Sequence, residues 1–357
     1  MGLVVEIFSA SDLRPMPFTH DAIIIGHGMA GTVLCETLMG RGQRVMVFDA
    51  DLDGRASWVA AGVVNPISMR RTVLTWRASE LLAIAGAFYR ELELDYETEL
   101  WKPLQMAEIF PTAQEAAIWQ LRMRDPEINR MIGNGPLHDP GLEKLPQPYG
   151  HGIVLRSGWL NIRVMIDAQR ARLRSEGSFS DQQVRDEDIR RMPDGIAIHD
   201  SSAPLLIHCS GAFKLVPGVV PVRGEGITVR MRGLGMNCLL HRGAFVVPRG
   251  DDVYRIGATF AWDNVWNGRT DEGKRLMLDR VERLWSGDIE LLDHWSGVRP
   301  GSKDRRPILG RIGEHEAVLT GLGSRGALLA PWCAEHLADH LLSGKPLDPE
   351  VDQARFR

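Results

Sequence analysis

A glycine-rich turn near the start of the chain carries residue types suited to binding a phosphate. Gly26, Gly28 and Gly31 have G-x-G-x-x-G spacing, and Asp49 follows about twenty residues later. Glycines at these positions permit a tight turn, let a pyrophosphate approach the backbone, and let a helix pack closely on a strand. A carboxylate at the Asp49 position accepts hydrogen bonds from ribose hydroxyls, and its charge disfavours a 2'-phosphate. The motif therefore predicts a dinucleotide site.

The elements around this turn fit that prediction. Residues 22–25 form an apolar run typical of a buried parallel strand, and the segment RVMVF before Asp49 predicts a second strand. Between them the spacing predicts a helix that ends at residues 40–42, with its N-terminal N–H groups facing the phosphates. This unit alone leaves both FAD and NAD open as the dinucleotide.

Bulk properties exclude several classes of protein. Among 357 residues, 42 Lys and Arg face 46 Asp and Glu, a formal charge of -4, so we expect no nucleic-acid partner. The four cysteines are scattered without metal-ligand spacing, which predicts reduced thiols, no metal site and a cytoplasmic protein. No apolar run reaches the roughly 20 residues that a bilayer requires, so we expect no membrane span. Residues 1–18 are predicted to precede the fold.

Later segments predict an interleaved architecture. Helices are expected at 75–92, 113–123 and 165–177 and after Thr270, whereas residues 204–213 predict a short buried strand. The segments GITVRM, AFVVPR and VYRIGAT predict an antiparallel sheet. Residues 315–344 again read as strand, glycine turn and helix. The fold class is therefore α/β with an α+β part: a Rossmann-like domain interleaved with an antiparallel-sheet domain.

Seven segments, taken together, resemble the FAD-dependent D-amino-acid oxidase superfamily, in its glycine oxidase and sarcosine oxidase branch. They are IIIGHGMAG with Asp49, ASWVAAGVV, HCSGAF, VPVRGEG, FVVPRGDDVYRIGAT, WSGVRPGSKDRRPILG and GLGSRGALLAP. The last two also resemble the oxidase domain of the bifunctional enzyme that matures methylaminomethyl uridine in tRNA. The resemblance extends from about residue 20 to 345.

The resemblance implies noncovalent FAD and oxidation of a C–N bond by hydride transfer to the flavin, giving an imine. It implies a small carboxylated amine as substrate and oxygen or another electron acceptor as oxidant. The two residues that it places at the catalytic site are Arg299 and Arg325. Those that it implies, with the glycine turn, for FAD binding are Gly26, Gly28, Met29, Ala30, Gly31, Asp49, Ala50, Ser57, Ala61, Gly62, Val184, Ser210, Gly211, Gly323, Ser324 and Gly326.

Arg299 lies in the stretch GVRPGSKDRRPILG, which is too rich in Gly and Pro for a regular helix or a central strand. By resemblance it matches the arginine that grips the substrate carboxylate, a task suited to a planar guanidinium because it binds carboxylates bidentately. A structural ion pair is the alternative. Arg325 could face either substrate or flavin, or make a structural contact.

Two features depart from the family pattern. Gly297 occupies the position at which covalent sarcosine oxidases carry cysteine, and Phe245 replaces the tyrosine common in glycine oxidases.

The alternative functions for the chain are a tRNA wobble-uridine-modifying oxidase, a noncatalytic flavin-binding subunit and a plain NAD-dependent dehydrogenase. The FAD-binding domain is predicted at 18–92, 150–218 and 296–345, and the substrate domain at 93–149 and 219–295.

Overall fold

The computed structural model describes residues 18–69 and 71–357, so most of the predicted N-terminal extension lies outside the described residues. The helices are α1 (Met29–Gly40), α2 (Ala56–Val59), α3 (Ala78–Tyr96), α4 (Ala113–Arg122), α5 (Pro126–Asn129), α6 (Ile162–Ser175), α7 (Asp271–Leu284) and α8 (Gly326–Ser343). None of these helices is long and apolar enough to cross a membrane. The four long helices predicted from periodicity are confirmed, although their ends differ by one to a few residues.

The strands are short, apart from two that form the edge of the larger sheet. They are β1 (Ala22–Ile25), β2 (Val45–Phe48), β3 (Val63–Val64), β4 (Ile67–Ser68), β5 (Val73–Leu74), β6 (Trp101–Pro103), β7 (Met106–Ile109), β8 (Ile132–Gly133), β9 (His151–Val154), β10 (Gly158–Leu160), β11 (Phe179–Ser180), β12 (Ile189–Met192), β13 (Gly195–Ile198), β14 (Ser201–Ala203), β15 (Leu206–His208), β16 (Val219–Met231), β17 (Leu239–His241), β18 (Phe245–Pro248), β19 (Val253–Gly257), β20 (Ile289–Ser302), β21 (Ile308–Arg311) and β22 (Glu316–Thr320).

A six-stranded sheet holds the predicted dinucleotide motif. Its order is β11-β2-β1-β15-β22-β21, parallel except for the β21–β22 pair. Its central strands are apolar and buried because helices cover the sheet, as expected for parallel strands. The strands come from distant parts of the chain, which confirms the interleaved Rossmann-like architecture.

The second large sheet has eight strands in the order β20-β16-β19-β18-β17-β7-β9-β8. All its pairs are antiparallel except β17 with β7. The three strands predicted between residues 226 and 259 are β16, β19 and β18, which lie next to the β20 edge. The stretch containing Arg299 is the end of β20, an edge strand, which tolerates Pro300 because the edge needs fewer ladder donors.

The predicted domain boundaries remain a prediction, and one strand bears on the boundary predicted between residues 149 and 150. β9 begins at His151, inside the range predicted for the FAD-binding domain, yet pairs with β7 and β8 of the eight-stranded sheet. Sequence alone cannot reveal this pairing, because β9 is short and apolar like the buried strands of the six-stranded sheet. From this pairing we propose that the boundary falls after Val154.

Candidate active site

One cavity of about 1200 Å³ is lined by residues of both large sheets. Ile25 and Leu319 come from the six-stranded sheet, and Phe245 and Trp295 from the eight-stranded sheet. Every predicted site residue lines this cavity except Gly31. The structure therefore brings together the glycine turn, the small-residue loop and the two predicted arginines.

The glycine turn is tight enough to require glycine at two of its positions. Gly26 has a φ of 99° and a Cβ there would lie 2.7 Å from the carbonyl carbon of Cys209. A Cβ on Gly31 would collide with the backbone oxygen of Gly26. Gly31 thus holds α1 against β1 rather than facing the cavity, as the close-packing role of the third glycine demands.

Two helix N-termini meet at the cavity. The N–H of Met29 at the start of α1 donates to Ser57 Oγ over 2.9 Å, and the N-cap residues of α1 and α8, Gly28 and Arg325, make no side-chain capping bond. The start of α8 follows the turn Gly323–Arg325. Because uncapped N–H groups and the positive helix end attract anions, the cavity offers two places for negative charge.

Asp49 is already engaged by the protein. One carboxylate oxygen accepts from the His27 N–H over 3.0 Å, and the other accepts from Arg170 Nη2 over 2.5 Å. Arg55 Nη1 lies 3.9 Å away. The Asp49 carboxylate is therefore paired with Arg170 and lies near Arg55.

Three arginines surround Trp58, including the two that lie near Asp49. The guanidinium carbons of Arg55, Arg163 and Arg170 lie 4.4, 3.8 and 4.8 Å from its ring centroid. Cation–π attraction of this kind fixes arginine side chains against the indole. Trp58 thereby holds two of the three arginines beside Asp49.

The loop after Asp49 is held from both sides. The Gly62 φ of 80° and the closeness of the Leu160 backbone require glycine there. Arg255 Nη2 donates to the carbonyl oxygen of Val59 over 2.9 Å. Ala61 accepts from the Trp159 indole N–H over 2.9 Å. These contacts fix Ser57, Ala61 and Gly62 at the cavity wall.

Arg299 is held without an acid. Its Nη1 donates to the carbonyl oxygen of Thr259 over 3.2 Å, and its guanidinium lies 4.7 Å from the Phe260 ring centroid. Among the described residues no carboxylate lies within ion-pair distance, and burial lowers the Arg299 pKa to about 10. A desolvated cation without a counterion is costly, so the geometry suits an anionic ligand.

Arg325 is also buried without an acid partner among the described residues. Its Nη1 donates to the carbonyl oxygen of Asn65 over 3.1 Å. Burial, with a smaller effect of the Arg305 charge, lowers the Arg325 pKa to about 10. No ion pair with a described acid stabilises it. Both arginines therefore retain donors for ligands in the cavity.

Sequence reasoning missed two pairs. Arg170 contacts Asp49 from α6, and Glu108 Oε2 accepts a hydrogen bond from, or shares a proton with, His241 Nδ1 over 2.6 Å. Glu108 and His241 both line the cavity. The signal was absent because these residues meet only through the parallel pairing of β7 with β17.

These features fit FAD. Gly28 leaves the backbone at the start of α1 without a side chain, so a pyrophosphate can approach its N–H groups, whereas a Cβ there would crowd Ser57 Oγ at 2.9 Å. The cavity lining includes Asp49, the starts of both helices and Arg299. The buried arginines Arg299 and Arg325 add positive charge to the cavity wall. Fold and site together define an FAD-dependent oxidoreductase.

The sequence matches the family described as FAD dependent oxidoreductase (DAO) over residues 21–340, and the chain belongs to that family. It is 26% identical to a glycine oxidase from Pseudomonas aeruginosa, with 94% of this chain and 97% of that protein aligned. It is 28% identical to a tRNA 5-methylaminomethyl-2-thiouridine biosynthesis bifunctional protein from Burkholderia vietnamiensis, aligned over 96% of this chain and 60% of that protein.

Solved structures share the fold. Glycine oxidase from Geobacillus kaustophilus superposes with a TM-score of 0.75 and 22% identity, covering 95% of this chain and 98% of that chain. Iminodiacetate oxidase from Chelativorans sp. BNC1 gives a TM-score of 0.76 and 20% identity, covering 94% and 98%. These structures share the fold, while the glycine oxidase from Pseudomonas aeruginosa supports the glycine oxidase-like branch. FAD is the cofactor of the family.

Proposed function

We propose that this chain oxidises the C–N bond of a small carboxylated amine to an imine, which water then hydrolyses. The observation that carries the proposal is Arg299, a desolvated guanidinium without an acid partner in the cavity. A substrate carboxylate would supply the missing counterion and bind bidentately. The relatives whose names identify glycine and iminodiacetate as substrates support this choice.

The chain's own residues would position the reaction. The backbone N–H groups after Gly28 and the N-terminus of α1 would hold the FAD pyrophosphate, and Asp49 would contact its ribose. Noncovalent FAD would accept a hydride from the substrate and pass electrons to oxygen or another acceptor. The start of α8, after Gly323 and Ser324, would stabilise negative charge beside it.

Arg299 would fix the carboxylate and so orient the neighbouring C–N bond. The face of Phe260 and the Thr259 carbonyl oxygen restrict the guanidinium, which reduces the entropy lost on binding. The substrate amine must be uncharged to release a hydride, so the reaction should accelerate as pH rises toward the pKa of the amine.

The first experiment is an anaerobic titration of the purified protein, monitored by its visible absorption spectrum. Glycine, sarcosine, D-amino acids and N-alkyl amino acids are added in turn. Bleaching of an oxidised-flavin band by one of these amines is the expected result. A flavin spectrum that none of them bleaches would overturn the small-amine proposal.

A tRNA wobble-uridine-modifying activity is the second candidate, favoured by the bifunctional relative aligned over nearly the whole chain. This chain spans 60% of that relative. Flavin reduction only by RNA that carries a modified uridine would favour the tRNA activity. Failure of all amines and of that RNA would favour a noncatalytic flavin-binding subunit.

A further inference from the structure

A row of paired residues crosses five strands of the eight-stranded sheet. The register pairs Trp295 with Gly226, Gly226 with Gly257, Gly257 with Phe245, and Phe245 with His241. The same register pairs His241 with Glu108 on the sixth strand. Directly paired residues project from one face of a sheet. Trp295, Phe245, His241 and Glu108 therefore form one surface, and all four line the cavity.

The two glycines in this row make room for Trp295. A Cβ on Gly226 would collide with its indole, and one on Gly257 would lie 2.7 Å from it. The indole thus lies flat across β16 and β19. The Trp295 indole and the Phe245 ring together form an apolar surface, the floor. The Phe245 ring lies 4.8 Å from the His241 ring, centroid to centroid.

Arg299 projects from the same face. It lies on β20 four residues after Trp295, an even number, so both side chains share one side of the strand. Its guanidinium reaches over β16, because a Cβ on Gly224 would collide with it. The floor therefore has a cation at one end and the Glu108–His241 pair at the other.

The separation of these two ends exceeds the size of glycine. Strands lie about 4.8 Å apart, so three strand spacings place His241 roughly 14 Å from Gly226, and Gly224 lies two residues further along β16. An amino acid whose carboxylate binds Arg299 covers only the first part of that span. The remaining floor is formed by the rings of Trp295 and Phe245, with the Arg255 guanidinium 4.8 Å from the Trp295 ring centroid.

The Glu108–His241 pair retains a hydrogen-bonding atom for a ligand. His241 Nδ1 is bonded to Glu108, and His241 Nε2 has no protein partner in the part of the chain that the structure describes. The Nδ1 contact orients the ring and leaves Nε2 for another group. Burial raises the Glu108 pKa, opposed by the nearby His241, which is consistent with a partly desolvated site.

The other charged residues described near the pair make no hydrogen bond to Glu108 or His241. Glu115 on α4 and Arg242, directly after β17, also line the cavity, as do Arg280 and Arg283 on α7. Arg242 donates to the Arg283 carbonyl oxygen over 3.1 Å. His151 on β9 pairs in register with Ile109, beside Glu108 but on the opposite face, and bonds to Gln147.

From this arrangement we propose that Glu108 and His241 form a distal polar subsite for the end of an N-substituent. The substrate class is an N-substituted amino acid whose carboxylate binds Arg299, whose substituent crosses Trp295 and Phe245, and whose far end makes hydrogen bonds. This inference rests on the proposed amine oxidation and specifies its substrate.

Two synthetic amines of equal size test the subsite. N-(3-carbamoylpropyl)glycine ends in an amide, and N-(4-methylpentyl)glycine replaces that amide by an apolar group of the same shape. Anaerobic flavin reduction gives kcat/KM for each, with sarcosine as the short reference. The expected ratio of amide-ended to apolar amine exceeds tenfold in the native protein.

Variants at the pair must then change that ratio. His241→Phe and Glu108→Gln are each expected to lower it at least fivefold, whereas His151→Gln, on the neighbouring strand and outside the cavity, should leave it unaltered. A ratio near one in the native protein, or a ratio that neither variant changes, would overturn the subsite. Failure of all three amines to reduce the flavin would instead overturn the underlying amine oxidation.

Discussion

Gly326, at the start of α8, packs so closely on Met29, at the start of α1, that a Cβ on Gly326 would lie 3.1 Å from Met29 Cγ. The N-termini of helices from opposite ends of the chain therefore meet at one wall of the cavity. This contact couples the glycine turn to the turn Gly323–Arg325. Substitutions at either helix start should act on the same bound cofactor.

Gly28→Ala should weaken FAD binding by at least about tenfold, or ~1.4 kcal/mol, because its Cβ would occupy the approach of the pyrophosphate. The new Cβ meets only the Ser57 side chain, so the apoprotein should still fold. Equilibrium titration of apoprotein with FAD, followed by flavin fluorescence, measures the change.

Gly40→Ala is the matched control in the same helix, because nothing lies within 4 Å of its added Cβ. It should leave FAD affinity unaltered and keep or slightly raise the melting temperature. Equal FAD affinity in the Gly28→Ala variant and the native protein would contradict pyrophosphate binding at Gly28.

Arg299→Gln should lower kcat/KM for a carboxylated amine about 100-fold, or about 3 kcal/mol, because it removes the cation that pairs with the carboxylate. FAD content should be retained. Steady-state kinetics with the amine identified by spectral titration measures the loss. The effect should be small for an amine of similar size without a carboxylate.

Arg249→Gln provides the control for that variant. Burial also lowers the Arg249 pKa, and its guanidinium lies 4.5 Å from the Trp159 ring centroid, but Arg249 does not line the cavity. A similar loss of kcat/KM in both variants would show that the Arg299 effect is structural.

His27 should make stability depend on pH. Burial lowers the pKa of His27 from 6.5 to about 4, despite its hydrogen bond to Gln169 over 2.6 Å. Between these values the unfolded chain binds a proton that the folded chain does not, so stability falls as pH drops from 6.5 toward 4. The full effect is about 3 kcal/mol.

Urea unfolding at pH 7 and pH 4.5 compares the native protein with His27→Gln. The free energy of unfolding should fall less in the variant over this interval, because its side chain does not titrate. Equal losses in both proteins would show that His27 is not the group responsible.

Glu225→Gln should destabilise the fold by about 3 kcal/mol because it breaks a buried charge network. Glu225 accepts from the Thr270 N–H over 2.7 Å and from Thr270 Oγ1 over 2.8 Å, and Arg223 Nε lies 3.4 Å away. Urea denaturation measures the change. Glu290→Gln, which removes an exposed partner of Arg230, should cost no more than about 1 kcal/mol.

Sequence predicted the elements with the strongest local signals. The glycine turn, both flanking strands and the Thr270 helix start were accessible because each depends on residues close in sequence. The Thr270 hydroxyl indeed caps α7 by accepting from the Gly273 N–H. Family resemblance, rather than residue spacing, led to Arg299.

Contacts between distant strands were not accessible in the same way. Glu108 and His241 carry no motif, and only the order of the eight-stranded sheet makes them neighbours. The engagement of Asp49 by Arg170 likewise depends on how α6 docks on the parallel sheet. The roles of the predicted cofactor residues stay predictions for the binding experiments above.

The C-terminal end of β20 contacts both the eight-stranded sheet and the loop beside the six-stranded sheet. Arg299 pairs in register with Val222 of the eight-stranded sheet, while the adjacent Val298 N–H donates to the Gly54 carbonyl oxygen over 2.8 Å. Gly54 lies in the loop that follows Asp49. A shared strand of this kind opposes hinge opening between the halves. We therefore expect the Arg299 guanidinium and the loop after Asp49 to keep a fixed spacing, and ligands to enter through movements of side chains and surface loops.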